Sequence, residues 1–368
     1  MLKHNPENER IKHKYFSFLK EAMRQSEPTI DGVAKSLARF EKYNNYKDFK
    51  TFRPEQATAF KKYLAEQKNQ RKDTRLSKAT LHTTFAHLKR FFEWLAREQG
   101  YQSRIQYSDA EYFNTSSKDL QIATARRVQK VPTLEQIKHV ISSMPANSEI
   151  EQRNRALIAF TLLTGARDSA IASAKLKHIN LDENCFFQDA RDVKTKFSKT
   201  FSTFFFPIDN AIKQIVVNWI AYLKSEKLWG NDDPLFPMTN NTLNANQQFE
   251  ANGIKREHWS TATPIRIIFK EAFAKAGLAY FHPHSFRHTL VQLGYSKCKA
   301  AEDLKAWSQN LGHSSVLTTL SSYGEISRQR QADIINNLVT PIVNKQLVEN
   351  KLLDEIAEVI KKHTHDKP

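Results

Sequence analysis

A chain of 368 residues, 40% apolar and carrying 24 Phe but only nine Gly, can bury two ordinary domain cores and fits a mainly helical protein better than a Gly-rich α/β enzyme. Lys and Arg total 56 against 39 Asp and Glu, a formal net charge of +17, which favours nucleic acid as partner over anionic lipid or a merely solubilising surface. Two distant cysteines, Cys185 and Cys298, exclude a disulfide scaffold and a Cys-based zinc site, and the polar N-terminus and short apolar runs point to a cytoplasmic protein without signal peptide or membrane span.

The first hundred residues carry helical periodicity. Ile11, Tyr15, Phe18 and Ala22 form one apolar stripe, and Ile30, Val33, Leu37 and Phe40 form a second after a Thr29 suited to capping. Pro54 fits the first turn of a third helix with Ala57, Phe60 and Leu64, and a fourth runs from about Ala79 to Arg97. Between those two lies the basic stretch KNQRKDTRLSK. Residues 103–131 are polar and aperiodic and read as a linker between a helical domain at 1–102 and a second domain at 132–327. Thr133 with Gln136 makes a capping-box pattern that opens this second domain. Residues 185–207 mix aromatic and β-branched positions in short runs, predicting a small antiparallel sheet. Helical spacing returns with Ile212, Val216, Trp219 and Leu223, the polar segment Met238–Trp259 reads as a surface insertion, and Thr263-Pro264 starts a helix that stops at Gly277. The tail, 328–368, contains one more amphipathic stripe around Leu352, Leu353, Ile356, Val359 and Ile360.

Three segments concentrate reactive side chains. LLTGARDSAIASAKL places Arg167 after a Gly turn, HPHSFRHTL sets His284 and Arg287 three apart on one helical face, and LGHSSVLTTLSSYGEI holds His313 and Tyr323. A Lys-rich stretch with Lys194, Lys196 and Lys199 lies between the first two. Two guanidinium forks suit the oxygens of a phosphodiester and stabilise the charge that grows on them during attack. A tyrosine hydroxyl, with a pKa of about 10, needs such cations and a base to become a nucleophile, and imidazoles serve acid–base work near neutrality. A nearby lysine would protonate the departing oxygen. Singly each piece is weak: an Arg after TG usually pairs at a helix end, and His284 with His288 has metal-ligand spacing but lacks the acidic residue of a zinc-peptidase helix.

In this order, TGARDSA, HPHSFRHT and LGHSSVLTT…Y resemble the signature boxes of the tyrosine recombinase, or phage integrase, family over about Val131–Ser327. ATLHTTFAHLKR with FFEWLAREQG resembles the last helix of that family's N-terminal core-binding domain. The resemblance implies a helical core-binding clamp plus a mixed α/β catalytic domain with a small antiparallel sheet. It implies that Arg167, His284, Arg287 and His313 serve the reaction, that Tyr323 is the nucleophile, and that Lys196 is the catalytic lysine by the TKFSKT pattern, with Lys199 favoured by the alternative count from Pro207. Two departures stand out: Ala170 replaces a usual glutamate, leaving open whether Asp168 substitutes for it, and the His313–Tyr323 interval is one residue longer than usual. The implied activity is site-specific recombination through a 3′-phosphotyrosyl intermediate, without metal or other cofactor, on double-stranded DNA at the nucleoid. The implied assembly is a homotetramer on two duplexes, a monomer or dimer off DNA. Lys68, Arg71, Lys72, Arg75, Lys78, Lys89 and Arg90 are the expected phosphate contacts of the clamp. The tail packs either on its own domain or on a neighbouring protomer. Competing readings are a type IB topoisomerase, a DNA-binding protein with a degenerate catalytic domain, and a metal-dependent nuclease.

Overall fold

The computed structural model describes residues 4–68, 73–125, 130–244, 246–322, 331, 332 and 335. The chain divides into two compact units at Arg126/Arg127. In the first, α1 (Pro6–Ser17) runs into a π turn, Phe18–Ala22, and is followed by α2 (Glu27–Tyr43), α3 (Pro54–Glu66) and α4 (Lys78–Leu95). Pro54 occupies the first turn of α3, as its fixed φ and missing N–H favour, and Ser77 caps α4 by accepting from the Thr80 N–H at 3.2 Å. The expected Thr29 cap is corrected, because α2 starts earlier, at Glu27, with Ser26 as its N-cap residue. Apolar stripes of all four helices converge on Phe40, whose ring meets Phe60, Phe92 and Phe113 edge to face at 5.2, 5.5 and 5.8 Å.

Phe113 corrects the expected linker. Residues 107–113 form a 3₁₀ turn, in which positions three apart eclipse, so Ala110 and Phe113 both point into this core. A search for a 3.6-residue period overlooks such a turn. The short α5 (Ser117–Thr124) follows and packs on α4, so the part of the linker from 103 to 125 belongs to the first unit.

The second unit opens with α6 (Leu134–Ser143), where Thr133 and Gln136 make the reciprocal capping bonds at 3.1 and 2.9 Å. Helix α7 (Glu149–Thr164) is buried on every side from Ala156 to Thr164 and forms the axis of this core. Beyond it come α8 (Asp168–Ser173) and a three-stranded antiparallel sheet of β1 (Ile179–Asn180), β2 (Cys185–Gln188) and β3 (Phe201–Phe204), in that order. Phe186 opposite Thr203 faces inward, while Phe187 opposite Ser202 faces out. Helix α9 (Asn210–Ser225) packs along α7 with Ile212, Val216, Trp219 and Leu223 buried.

The segment expected as an unstructured insertion is a hairpin of β4 (Met238–Leu243) and β5 (Phe249–Lys255). Its polar, Asn-rich strands are exposed on both faces, so no alternation marks them. The base of this hairpin is held by Arg153, 2% exposed, which donates to the Pro237 carbonyl at 2.8 Å and the Thr239 hydroxyl at 3.1 Å and lies 5.0 Å from the centre of the Trp259 ring. The remaining helices are α10 (Thr263–Lys275), α11 (Ser285–Lys297), α12 (Ala301–Asn310) and α13 (Val316–Ser322). Among the described residues no helix is long and apolar enough to cross a membrane. The tail stripe, Leu352 to Ile360, lies outside the described residues.

Candidate active site

Arg167 is delivered by the end of α7. Gly165 adopts φ +58°, the left-handed conformation that terminates a helix cheaply only without a Cβ. A Cβ there would also lie 2.8 Å from Leu290 and 2.9 Å from Leu311, so the glycine lets α11 and the loop after α12 close over the turn. Arg167 follows, half-buried, as the N-cap residue of α8. The Asp168 carboxylate binds Arg266 of α10 at 2.8 Å. Ala170 is buried in the core.

The Lys-rich connection between β2 and β3 is fastened to α8. Ser169 Oγ donates to the Lys194 carbonyl at 3.1 Å, and the Lys194 N–H donates to Ser173 Oγ at 2.8 Å. Buried Val193 anchors one end, and the Thr195 hydroxyl closes the turn on the Lys199 carbonyl at 2.8 Å. Lys196 and Lys199 are both exposed on this turn.

His284 is the N-cap residue of α11, and Arg287 lies in the first turn, 2% exposed. Its guanidinium donates to the Gly165 carbonyl and to the Leu311 carbonyl, both at 2.5 Å, and Nη2 is 3.0 Å from His313 Nε2. One side chain thus ties the Arg167 turn, α11 and the His313 loop to a common point. The His313 loop is seated from below as well. Gly312, at φ +69°, rests on the Phe201 ring, where a Cβ would fall 2.5 Å away. Asn310 donates to the Phe204 carbonyl at 2.8 Å and accepts from the Phe204 N–H at 2.6 Å, completing the free edge of β3. Thr203 Oγ1 donates to the Asn310 carbonyl at 3.0 Å.

Both imidazoles are held neutral. Lost hydration, then the charges of Arg287, His288 and Arg167, push His284 down to about 4. Burial, then Arg287, Arg167, His284 and Lys199, push His313 down to about 3. In the unfolded chain both would titrate near 6.5 and bind more protons than the folded state below that pH. Stability from these groups is therefore full above pH 6.5 and is lost as pH falls toward 4. The slope is at most about 1.4 kcal/mol per pH unit from His313, and less from the more open His284. Urea denaturation between pH 7 and 4.5 should show this slope, and His313→Asn should flatten it. Equal slopes in both proteins would exclude His313 as the source.

The charges of Arg167 and Arg287 thus bear on both imidazoles, and that of Lys199 on His313. Tyr323 lies just past Ser322, the last residue of α13, outside the described residues. In the first unit, Arg71 and Lys72 also lie outside them. Lys68 pairs with Asp73 at 3.0 Å and bridges to Arg75, and Lys78 pairs with Asp119 at 2.7 Å. Lys89 pairs with Glu111 at 2.9 Å and lies 3.8 Å from Glu93, and Arg90 is exposed. Sequence reasoning passed over Asn310, Ser169 and Ser173. Short polar residues beside a motif carry no periodic signal.

Comparison with known proteins agrees with this geometry. Residues 130–330 match the model of the phage integrase family. The tyrosine recombinase XerC of Bacillus pumilus is 21% identical over 319 residues, covering 84% of this chain and 90% of that protein. That of Lactobacillus delbrueckii subsp. bulgaricus is 22% identical over 258 residues, covering 69% and 75%. Among solved structures, a lambda integrase dimer bound to a COC′ core site superposes with a TM-score of 0.60 at 11% identity, over 87% of this chain and 96% of that one. The Tn1549 transposon integrase in complex with transposon right end DNA gives 0.58 at 15% identity, over 90% and 99%. At such identities the structural likeness establishes the fold, mainly helical with small antiparallel sheets. The family match spans more than half of the chain and coincides with the cluster built around Arg287, so this protein belongs to the phage integrase family, the tyrosine recombinases that break and rejoin DNA strands at specific sites.

Proposed function

We propose that the cluster around Arg287 cleaves and rejoins double-stranded DNA through Tyr323. The carrying observation is the guanidinium of Arg287 joined to the Gly165 and Leu311 carbonyls and to His313, since it gathers three sequence boxes distant in the chain. In this reading Arg167 and Arg287 clamp the non-bridging oxygens, and their fixed charges favour the pentavalent transition state over the ground state. The Tyr323 oxygen attacks phosphorus while the bond to the 5′ oxygen breaks. The phenolic proton leaves to a neutral imidazole, His313 or His284, and the 5′ oxygen takes a proton from a hairpin lysine. A 5′ hydroxyl from a partner strand then attacks the 3′-phosphotyrosyl bond and reverses these steps. Phosphodiester energy is retained throughout, so the chemistry consumes no nucleotide.

The formal charge of +17 and the DNA held by the solved relatives support DNA as the partner. Four protomers on two duplexes, working in the cytoplasm at the nucleoid, complete the proposal. In the first unit, Arg90 and the 68–78 stretch supply phosphate contacts. A nicked suicide duplex containing the target site tests the whole reading. The protein should become covalently attached to the 3′ end and release a 5′ hydroxyl, and release without attachment would refute it.

The proton-donating lysine of the β2–β3 connection is Lys196 by its motif, and the charge of Lys199 bears on His313, which supports Lys199 as a second reading. A substrate with sulfur in place of the bridging 5′ oxygen separates them, because a thiolate departs without a proton. The variant lacking the true acid, Lys196→Ala or Lys199→Ala, should lose on the order of 10²- to 10⁴-fold on ordinary DNA and recover on the sulfur substrate. Absence of recovery in both variants would remove the lysine from the mechanism.

A further inference from the structure

The proton positions around His313 follow from one constraint. A guanidinium only donates, so His313 Nε2, 3.0 Å from Arg287 Nη2, must present its lone pair. The ring proton of the neutral imidazole therefore sits on Nδ1, whose neighbour is the Thr319 hydroxyl at 2.8 Å. Thr319 in turn gives its single hydroxyl proton to Ser308 Oγ at 2.7 Å. Thr319 is fully buried and Ser308 1% exposed, so bulk water is not at hand to replace either partner. Thr319 carries a second tie: its carbonyl accepts from the Tyr295 hydroxyl of α11 at 3.0 Å. One residue of α13 is thus bonded to the histidine loop, to α12 and to α11, and it stands four residues before Tyr323.

We propose that Thr319 is a positioning residue for strand cleavage: docking of α13 places its hydroxyl as the acceptor for the His313 Nδ1–H, which holds the ring so that Nε2 keeps its bond from Arg287. The ring is clamped at both nitrogens only when the segment leading to Tyr323 is seated, which joins the order of the Arg287–His313 pair to the placement of the nucleophile. The inference rests on the reading of His313 as part of the reaction.

Thr319→Val keeps the shape and removes the hydroxyl, Thr319→Ser keeps the hydroxyl, and Ser308→Ala frees the threonine proton to turn toward the ring. Ring ¹⁵N shifts of selectively labelled histidine, read on the DNA-free protein, report the tautomer directly. Wild type and Thr319→Ser should show one sharp Nδ1–H ring state, whereas Thr319→Val and Ser308→Ala should shift and broaden the Nδ1 signal as its acceptor is lost or turned away. On a suicide substrate, adduct formation should slow on the order of 100-fold in Thr319→Val and stay within a few-fold of wild type in Thr319→Ser. Wild-type ring signals in both Thr319→Val and Ser308→Ala would overturn the clamp. Equal impairment of Thr319→Val and Thr319→Ser would also overturn it, pointing to packing instead. An altered ring with unimpaired cleavage would overturn the role in the reaction and, separately, remove His313 from the chemistry.

Discussion

Tyr323→Phe should bind target DNA as tightly as wild type and form no covalent adduct on a nicked suicide duplex, a loss larger than any other single change should cause. The substitution removes one oxygen and leaves the ring, so the electrostatic contacts that dominate DNA affinity stay in place. No side chain replaces the missing nucleophile: a neighbouring serine, Ser321 or Ser322, sits one or two residues away, but its hydroxyl is far less acidic than a phenol. Adduct measured by gel mobility, beside binding measured by fluorescence anisotropy, separates the two effects. An adduct trapped with Tyr323→Phe would reassign the nucleophile, and equal loss of binding would show that the tyrosine mainly holds structure.

What could be read from sequence was what leaves a period or a box. The stripes Ile30–Phe40 and Leu81–Leu95 became α2 and α4 because a buried helical face repeats every three or four residues. Thr133 and Gln136 were legible because a capping box is a local bond pattern. Arg167, His284, Arg287 and His313 were legible as boxes, while their convergence depends on contacts spanning up to 122 residues, such as Arg287 to the Gly165 carbonyl. The 3₁₀ turn at 107–113 stayed hidden because its period is three and its length is seven residues. The β4–β5 hairpin stayed hidden because neither face is buried enough to force alternation. Thr319 was lost for a different reason: a hydroxyl that matters through its neighbour's proton looks like any polar residue in LTTLSS.

Arg287 should be the second most damaging position, and it should fail in two measurable ways at once. Its guanidinium is nearly inaccessible and fills three acceptors: two backbone carbonyls and one imidazole nitrogen. Arg287→Ala leaves the Gly165 and Leu311 carbonyls without that donor in the core, at about 1–3 kcal/mol for each buried group left unsatisfied. The total of about 2–6 kcal/mol corresponds to a fall of about 4–24 °C in Tm for a unit of this size. Arg287→Lys keeps the charge, but one ammonium cannot span two carbonyls on opposite sides and still address a phosphate. It should melt between wild type and Arg287→Ala, yet lose on the order of 10²- to 10³-fold in adduct formation, the usual consequence of removing one oriented donor from a developing negative charge. The lysine variant therefore separates the two functions of the arginine. Arg287→Lys with near-normal cleavage would show that charge alone suffices, and Arg287→Ala melting like wild type would mean that the two carbonyls are satisfied some other way. His313 should respond in Arg287→Ala: with the donor-only guanidinium gone, Nε2 regains the freedom to hold a proton and its pKa should rise, while burial, the larger cause, keeps it below the ordinary value.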